Sequence, residues 1–381
     1  MRQMKQLRTI AMASIVASSF MLGGCTPKTT VITSENAPNE FIRQVANVTS
    51  NSTSEEMQSI LNAMNDATIE YYKSGYQTSE QTHAVGLTVQ DGQLATTESD
   101  FKNYDVRFGD ELTYYELYEE ESGNEANYGL MSYNKGAITT VFSRPDGSGQ
   151  FGKDNGKFVI QTINKEDGVL HDISDDAMHE YIQEAISFPL HNLVGGTLLV
   201  SPFEKPQAYT YKLEQVGSDF VWTISIHEQD VYNEILNTTF KDLYGYDRLD
   251  IKGDGSFILD EFIAQEVTYV LTMDEQGVVQ KISTTNASQA KKGEVTKEIK
   301  STDTVLLTTV EEKWYTFFKD FFATIESGTL KEEDAFALNQ PFASASSGQT
   351  STSDSTLESK METDQQSTTE SQSNSSEQNS Q

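Results

Sequence analysis

Between Tyr209 and Ile226 the chain alternates so regularly that one local structure satisfies it. Tyr209, Tyr211 and Leu213 are separated by Thr210, Lys212 and Glu214; Gly217-Ser218 can turn the chain; Phe220, Trp222, Ile224 and Ile226 alternate back. Successive side chains of a strand point to opposite faces, so this spacing collects every large apolar residue on one side. A helix would scatter the same residues around its surface. The segment predicts an antiparallel hairpin with one face buried, and that face demands a cover.

The same period recurs along the chain. His83, Val85, Leu87 and Val89 share a face before the turn Asp91-Gly92, and Tyr104, Val106 and Phe108 share another, ending at Gly109-Asp110. Leu112, Tyr114 and Tyr118 continue it, and Ala137 to Phe142 and Lys157 to Ile163 are β-branched runs. Further on, Phe257 to Met273 reads mainly as a strand, with a helix over Ile258 to Ala264 as the alternative, Asp274 to Gly277 as a turn and Val278 to Thr285 as its return. Two short strands are expected at Glu294 to Ile299 and Thr304 to Val310.

Helical spacing interrupts the strands in four places. Ser52 and Thr53, each with a Glu three positions on, form overlapping capping boxes before the stripe Met57, Ile60, Leu61, Met64, Thr68 and Tyr71. A second helix is expected behind Ser174, with the stripe Met178, Tyr181, Ile182, Ala185 and Ile186, limited by Pro189. Val231, Ile235, Leu236, Phe240 and Leu243 predict a third. Trp314, Phe317, Phe318, Phe321, Phe322 and Ile325 predict a strongly amphipathic fourth, packed on the sheet. Hairpin-linked strands with a few interspersed helices predict an α+β fold with a large curved antiparallel sheet, an incomplete barrel, and covering helices.

The chain opens with a different signal. Arg2, Lys5 and Arg8 precede an apolar run from Ile10 to Leu22, which ends in Leu22-Gly23-Gly24-Cys25. A positive start, an apolar stretch too short to span a bilayer comfortably and small residues at a cut are the parts of a secretory leader. The tetrapeptide resembles a bacterial lipobox, which implies that Cys25 is acylated and becomes the mature N-terminus. The expected organisation is 1–24 signal peptide, 25–53 polar tether, 54–342 folded α+β body and 343–381 tail. From Ala343 onward there is no aromatic residue, and the Ser, Thr, Gln and Glu that dominate cannot offset ordering entropy, so a disordered tail is expected.

Charge narrows the partners. The chain has 58 acidic against 27 basic residues, and removing the leader costs it three positive charges and no negative one. Such a surface repels phosphate backbones, so nucleic acid is not an expected partner. It also disfavours a grip on anionic lipid through basic side chains, leaving the acyl chains on Cys25 to hold the membrane from its extracytoplasmic side. Cys25 is the single cysteine in the chain. Once it is acylated, neither an internal disulfide nor a catalytic thiolate remains.

A lipobox, an opening helix, an antiparallel sheet and helices inserted between its strands together resemble the LolA/LppX-like lipoprotein carriers. The elements that carry the resemblance are the Met57 to Tyr71 helix, the Tyr209 to Ile226 hairpin and the Val267 to Thr285 hairpin. It implies a half-barrel whose concave face holds acyl chains in an apolar cavity. Val85, Leu87, Tyr209, Tyr211, Phe220, Trp222 and Ile224 are then the expected lining, and a lipid or lipoprotein precursor the expected ligand. The alternative is a cell-envelope interaction protein with no small ligand, whose partners are other envelope proteins.

Motifs for chemistry are thin. Asp250 to Glu261 can be laid on a calcium loop of the EF-hand type, with Asp250, Asp254, Gly255 and Glu261 in register. Lys252 and Ile258, however, stand where oxygen ligands belong. A Gly-Asp-Gly turn between strands accounts for the same residues. His171, Asp175 and His179 are spaced four apart, but Ser174 reads as the cap of the helix and leaves His171 outside it. No Gly-x-Ser-x-Gly is present; Ser148 sits between Gly147 and Gly149 as turn chemistry, and Ser99 to Lys102 matches Ser-x-x-Lys without its companion motifs. No catalytic residue, metal site or cofactor is therefore expected.

Overall fold

The computed structural model describes residues 29–110, 113–122, 125–134, 137–144, 157–164, 175–193, 200–244, 249–252 and 255–327. In chain order they form β1 (Thr29–Val31), α1 (Glu40–Ala46), α2 (Ser54–Tyr71), β2 (Gly75–Gln90) and β3 (Gln93–Gly109). Then come β4 (Thr113–Ser122), β5 (Glu125–Asn134), β6 (Ala137–Arg144), β7 (Lys157–Asn164) and α3 (Asp175–His191). The last are β8 (Tyr209–Val216), β9 (Asp219–Ile226), α4 (Gln229–Tyr244), β10 (Glu261–Met273), β11 (Val279–Lys292), β12 (Val295–Thr308) and α5 (Glu312–Glu326). The described residues all belong to the compact unit Met1–Ala335, and the expected tail 343–381 lies outside the described residues.

All twelve strands join one antiparallel sheet in the order β1-β8-β9-β10-β11-β12-β2-β3-β4-β5-β6-β7. Two meanders, β2 to β7 and β8 to β12, are fused by the pairing of β12 with β2, in which Ser301 faces Ala84. Among the described residues neither β1 nor β7 pairs on its outer side, so the sheet is open. The α+β class with a large unclosed antiparallel sheet follows.

Local chemistry explains the turns. Gln90 pairs with Gln93 across Asp91-Gly92, and both turn residues have positive φ, 51° and 75°. That is the two-residue turn whose twist matches antiparallel strands, and Asp-Gly suits it. Gly75 answers a different need: at φ 140° a Cβ there would lie 2.4 Å from the Cβ of Phe108, its partner on β3. Thr53 and Glu56 close the capping box of α2 reciprocally, at 3.2 and 2.9 Å.

Register assigns the helices to faces, because directly paired residues point to the same side. Tyr211, Ile224, Tyr269, Thr284, Asp303 and Thr82 form one row across six strands, and Leu213, Trp222, Leu271, Ile282, Val305 and Glu80 form the next. The apolar half of this face packs with Ile42 and Val45 of α1, Met57, Ile60 and Met64 of α2 and Tyr232, Leu236 and Phe240 of α4. Further along, Tyr76 and Leu307 pack with Met178, Ile182 and Ile186 of α3. Helix α5 lies on the opposite face, where Phe318 meets Phe108 at 5.2 Å and Trp314 Nε1 donates to the hydroxyl of Tyr104 at 3.1 Å.

Four expectations need correction. The segment 25–53 is not a tether throughout: β1 pairs with β8, α1 is helical, and Ile32, Ile42, Val45 and Val48 are buried. A three-residue edge strand is held by backbone bonds and leaves no side-chain pattern, and the four apolar residues are diluted among polar ones. The two short strands at 294–310 are one strand, β12, because Ser301 and Thr302 continue the ladder despite their polarity. Phe257 to Asp260 precede β10 in a turn and bridge rather than extending it. Pro189 does not end α3, which runs on to His191.

Candidate functional site

The seven expected lining residues do not gather at one place. Tyr209, Phe220, Trp222 and Ile224 are fully buried on the helix-covered face, and Tyr211 is half-buried beside them. Val85 pairs with Lys300 and Glu98, which puts it on the other side of the sheet from Trp222. Leu87 lies past the last β12 pairing, yet it packs against the Trp222 cluster. A free two-stranded ribbon twists more strongly than an interior strand, and this turns its residues relative to the sheet.

Rings occupy the apolar part of the covered face. Trp222 stands 5.9 Å from Tyr211 and 6.1 Å from Phe203, and Tyr209 meets Tyr232 edge-on at 5.8 Å. The hydroxyl of Tyr211 donates to the carbonyls of Pro202 and Pro206, both at 3.2 Å, so the hairpin is tied to the segment preceding it. Burial pushes the Tyr209 phenol well above its ordinary range and that of Tyr211 above it too. Both are neutral donors at any physiological pH.

The unusual feature of this face is its unpaired polar atoms. Trp222 Nε1, Thr284 Oγ1, Tyr76 OH and Asp105 Oδ1 are buried without a hydrogen-bond partner. Register places all four on the covered face, from β9 to β3, although nothing in the sequence distinguishes them from paired neighbours. Thr284 lies directly opposite Asp303, whose carboxyl accepts from Thr82 at 3.1 Å and is pushed upward by burial. Next to Tyr76, Arg107 bonds Asp105 at 2.9 Å and Glu116 at 3.0 Å, so one guanidinium serves two carboxylates. Burial first, opposed by Arg107 and reinforced by Glu116, pushes the Asp105 carboxyl up to about 7.

A separate cavity of about 200 Å³ lies between α4 and the start of β10, lined by Asn233, Asn237, Phe240, Leu249, Leu259 and Phe262 among others. None of the seven expected residues lines it. At the Asp250 loop, Asp250 bridges Ile258, and its carboxylate accepts from the backbone N–H of Lys252 and of Gly255 at 3.1 and 2.5 Å. Asp254 lies outside the described residues, as do His171 and Ser148. Among the described residues, no cluster of three His, Cys, Asp or Glu is placed to hold a metal ion.

No protein-family profile matches this chain, and no curated protein sequence does. Among solved structures, the chain is similar to a DUF1329 family protein from Desulfovibrio piger. The match has 11% identity and covers 65% of this chain and 91% of that one, with a TM-score of 0.16. A likeness that slight carries no site across to this chain.

Proposed function

We propose that this protein is a lipid-anchored extracytoplasmic binding protein that holds an apolar ligand, a lipid or the lipid part of a lipoprotein precursor, against the helix-covered face. The observation that carries this reading is the indole N–H of Trp222, buried on that face without an acceptor. An unmade hydrogen bond on a buried donor costs about 1–3 kcal/mol. An ester or carboxyl oxygen at the head of an acyl chain would take that bond, while Tyr209, Tyr211, Phe220 and Ile224 offer apolar contact to the chain. Since these rings touch one another without ligand, entry requires a covering helix to move. The seven-residue α1 is the shortest of those on this face. Membrane attachment rests on the leader and Cys25, and the reading invokes no catalytic step, metal or cofactor.

One observation favours a second reading. Trp222, Tyr211 and Phe203 already interdigitate, as side chains do in an ordinary core. An envelope interaction protein without a small ligand would look the same. Displacement of a fluorescent fatty acid from the soluble body decides between them, using Trp314→Phe so that Trp222 is the single fluorescent indole. Saturable binding that shifts Trp222 emission and weakens several-fold in Trp222→Phe supports the carrier. No saturable binding, or binding indifferent to Trp222→Phe and Tyr211→Ala, leaves the interaction protein.

A further inference from the structure

We infer that the folded body stands on a phospholipid surface in a fixed orientation, with the β8–β9 and β10–β11 turns toward the lipid. This rests on the lipid-anchor reading above. Only Thr26, Pro27 and Lys28 separate Cys25 from Thr29, the first residue of β1. At no more than about 3.6 Å per residue, the Cα of Thr29 is held within about 14 Å of that of the acylated cysteine. The polar composition of residues 25–53 suggests a long swinging leash. The structure removes almost all of it, because Thr29, Thr30 and Val31 pair with Val216, Gln215 and Glu214.

The strand is not easily peeled away to restore the slack. Ile32, the next residue, is buried and donates its N–H to the carbonyl of Leu213 at 2.9 Å. Asn39, at the start of α1, donates to the carbonyl of Glu275 at 2.7 Å. The chain leaving the membrane is thus fastened both to the sheet edge and to the β10–β11 turn.

Register then says which end of the sheet is near. Thr29 pairs with Val216, beside the Gly217-Ser218 turn, and Phe220 pairs with Met273, beside the turn from Asp274 to Gly277. Both turns therefore share the membrane end. The opposite end carries Gly293 and Glu294, fourteen β11 residues away, about 45 Å at the usual strand rise. The near end presents Asp219, Asp274 and Glu275, so it would rest against headgroups without inserting, and anionic lipid would push it outward. The cavity by Glu261 opens at the far end, since Glu261 pairs with Lys291.

The test uses the full-length, natively acylated protein in phosphatidylcholine vesicles carrying a headgroup-labelled energy acceptor. Cys25 is blocked by acylation, so donor dye can be placed singly at Ser218→Cys or Glu294→Cys. The expected result is transfer several-fold stronger from position 218 than from 294. Inserting twenty Gly and Ser residues after Thr26 should largely abolish the difference. Equal transfer from both positions in protein that incorporates labelled acyl chains would overturn the orientation while leaving the anchor intact. A difference that survives the insertion would also overturn it, since short attachment would not be its cause. Absence of acyl incorporation, with no retention on membranes, would overturn the anchor reading and this inference with it.

Discussion

Arg107 donates from Nη1 to the carbonyl of Ala185 at 3.0 Å, and Ala185 is the residue four before Pro189. Proline has no N–H, so its place in the last turns of α3 leaves that carbonyl without its helical partner. A side chain from β3 supplies the missing donor. The same guanidinium holds Asp105 and Glu116, so one residue joins sheet to helix and balances two carboxylates.

Replacing Arg107 with Met should therefore cost about 3–5 kcal/mol, because it strands two carboxylates and a carbonyl at once. Pro189→Ala restores the helical N–H, and in that background the loss at Arg107 should be smaller by about 0.5–1.5 kcal/mol. Urea unfolding of the two single variants and the double variant measures this coupling. Strict additivity would mean that Arg107 is no substitute for the missing helical bond.

Asp105 should make stability fall as pH rises. Its carboxyl is pushed up to about 7 in the folded protein, above the value of an unfolded aspartate. The folded state therefore binds more protons between about pH 4 and pH 7. The stabilising contribution is complete below the unfolded value and is lost as pH climbs through the folded one. Asp105→Asn cannot ionise, so its urea midpoint should decline less than that of the parent across this window. Parallel curves would refute the assignment.

Asn233 on α4 holds both backbone groups of Ala264, accepting from its N–H at 2.7 Å and donating to its carbonyl at 2.9 Å. The pairing of β10 with β11 is irregular between Ala264 and Glu266, and a bulge leaves such groups unpaired. Asn233→Ala should cost about 1–3 kcal/mol, with Asn233→Asp no better because it cannot donate. Amide exchange at Ala264 should quicken in both; protection equal to the parent would exclude this role.

Helix α5 should depend on packing more than on the hydrogen bond from Trp314 to β3. Trp314→Phe loses the bond to Tyr104 but keeps a ring, at about 1 kcal/mol. Trp314→Ala should cost about 3–5 kcal/mol, because the side chain is fully buried. Similar losses in the two variants would show that the hydrogen bond dominates.

Calcium should bind the Asp250 loop no more tightly than any acidic surface. The carboxylate already accepts two backbone N–H groups, and Lys252 places a positive charge beside it. Calorimetric titration should give no micromolar site that disappears in Asp250→Ala.

How much of this was legible beforehand depends on the range of the interaction. The Tyr209 to Ile226 hairpin, the Asp91-Gly92 turn, the capping box at Thr53 and the aromatic stripe of α5 are local patterns. Each can be read because a few neighbouring residues dictate backbone angles or one buried face. The sequence alone determined the alternation, the helix stripes, the acidic charge balance and an apolar N-terminal run that leads into Cys25.

The tertiary structure decided what those faces meet. It paired β12 with β2 across more than two hundred residues, put Val85 on the side away from Trp222, drew residues 29–48 into the fold and delivered Arg107 to Ala185. No periodicity encodes these outcomes. Which strand lies beside which, and which carbonyl finds which guanidinium, is settled only when the whole chain competes for the same buried surface. The unpaired N–H of Trp222 belongs to that class: the residue is plain in the sequence, but whether its one donor finds an acceptor depends on every element that closes over it.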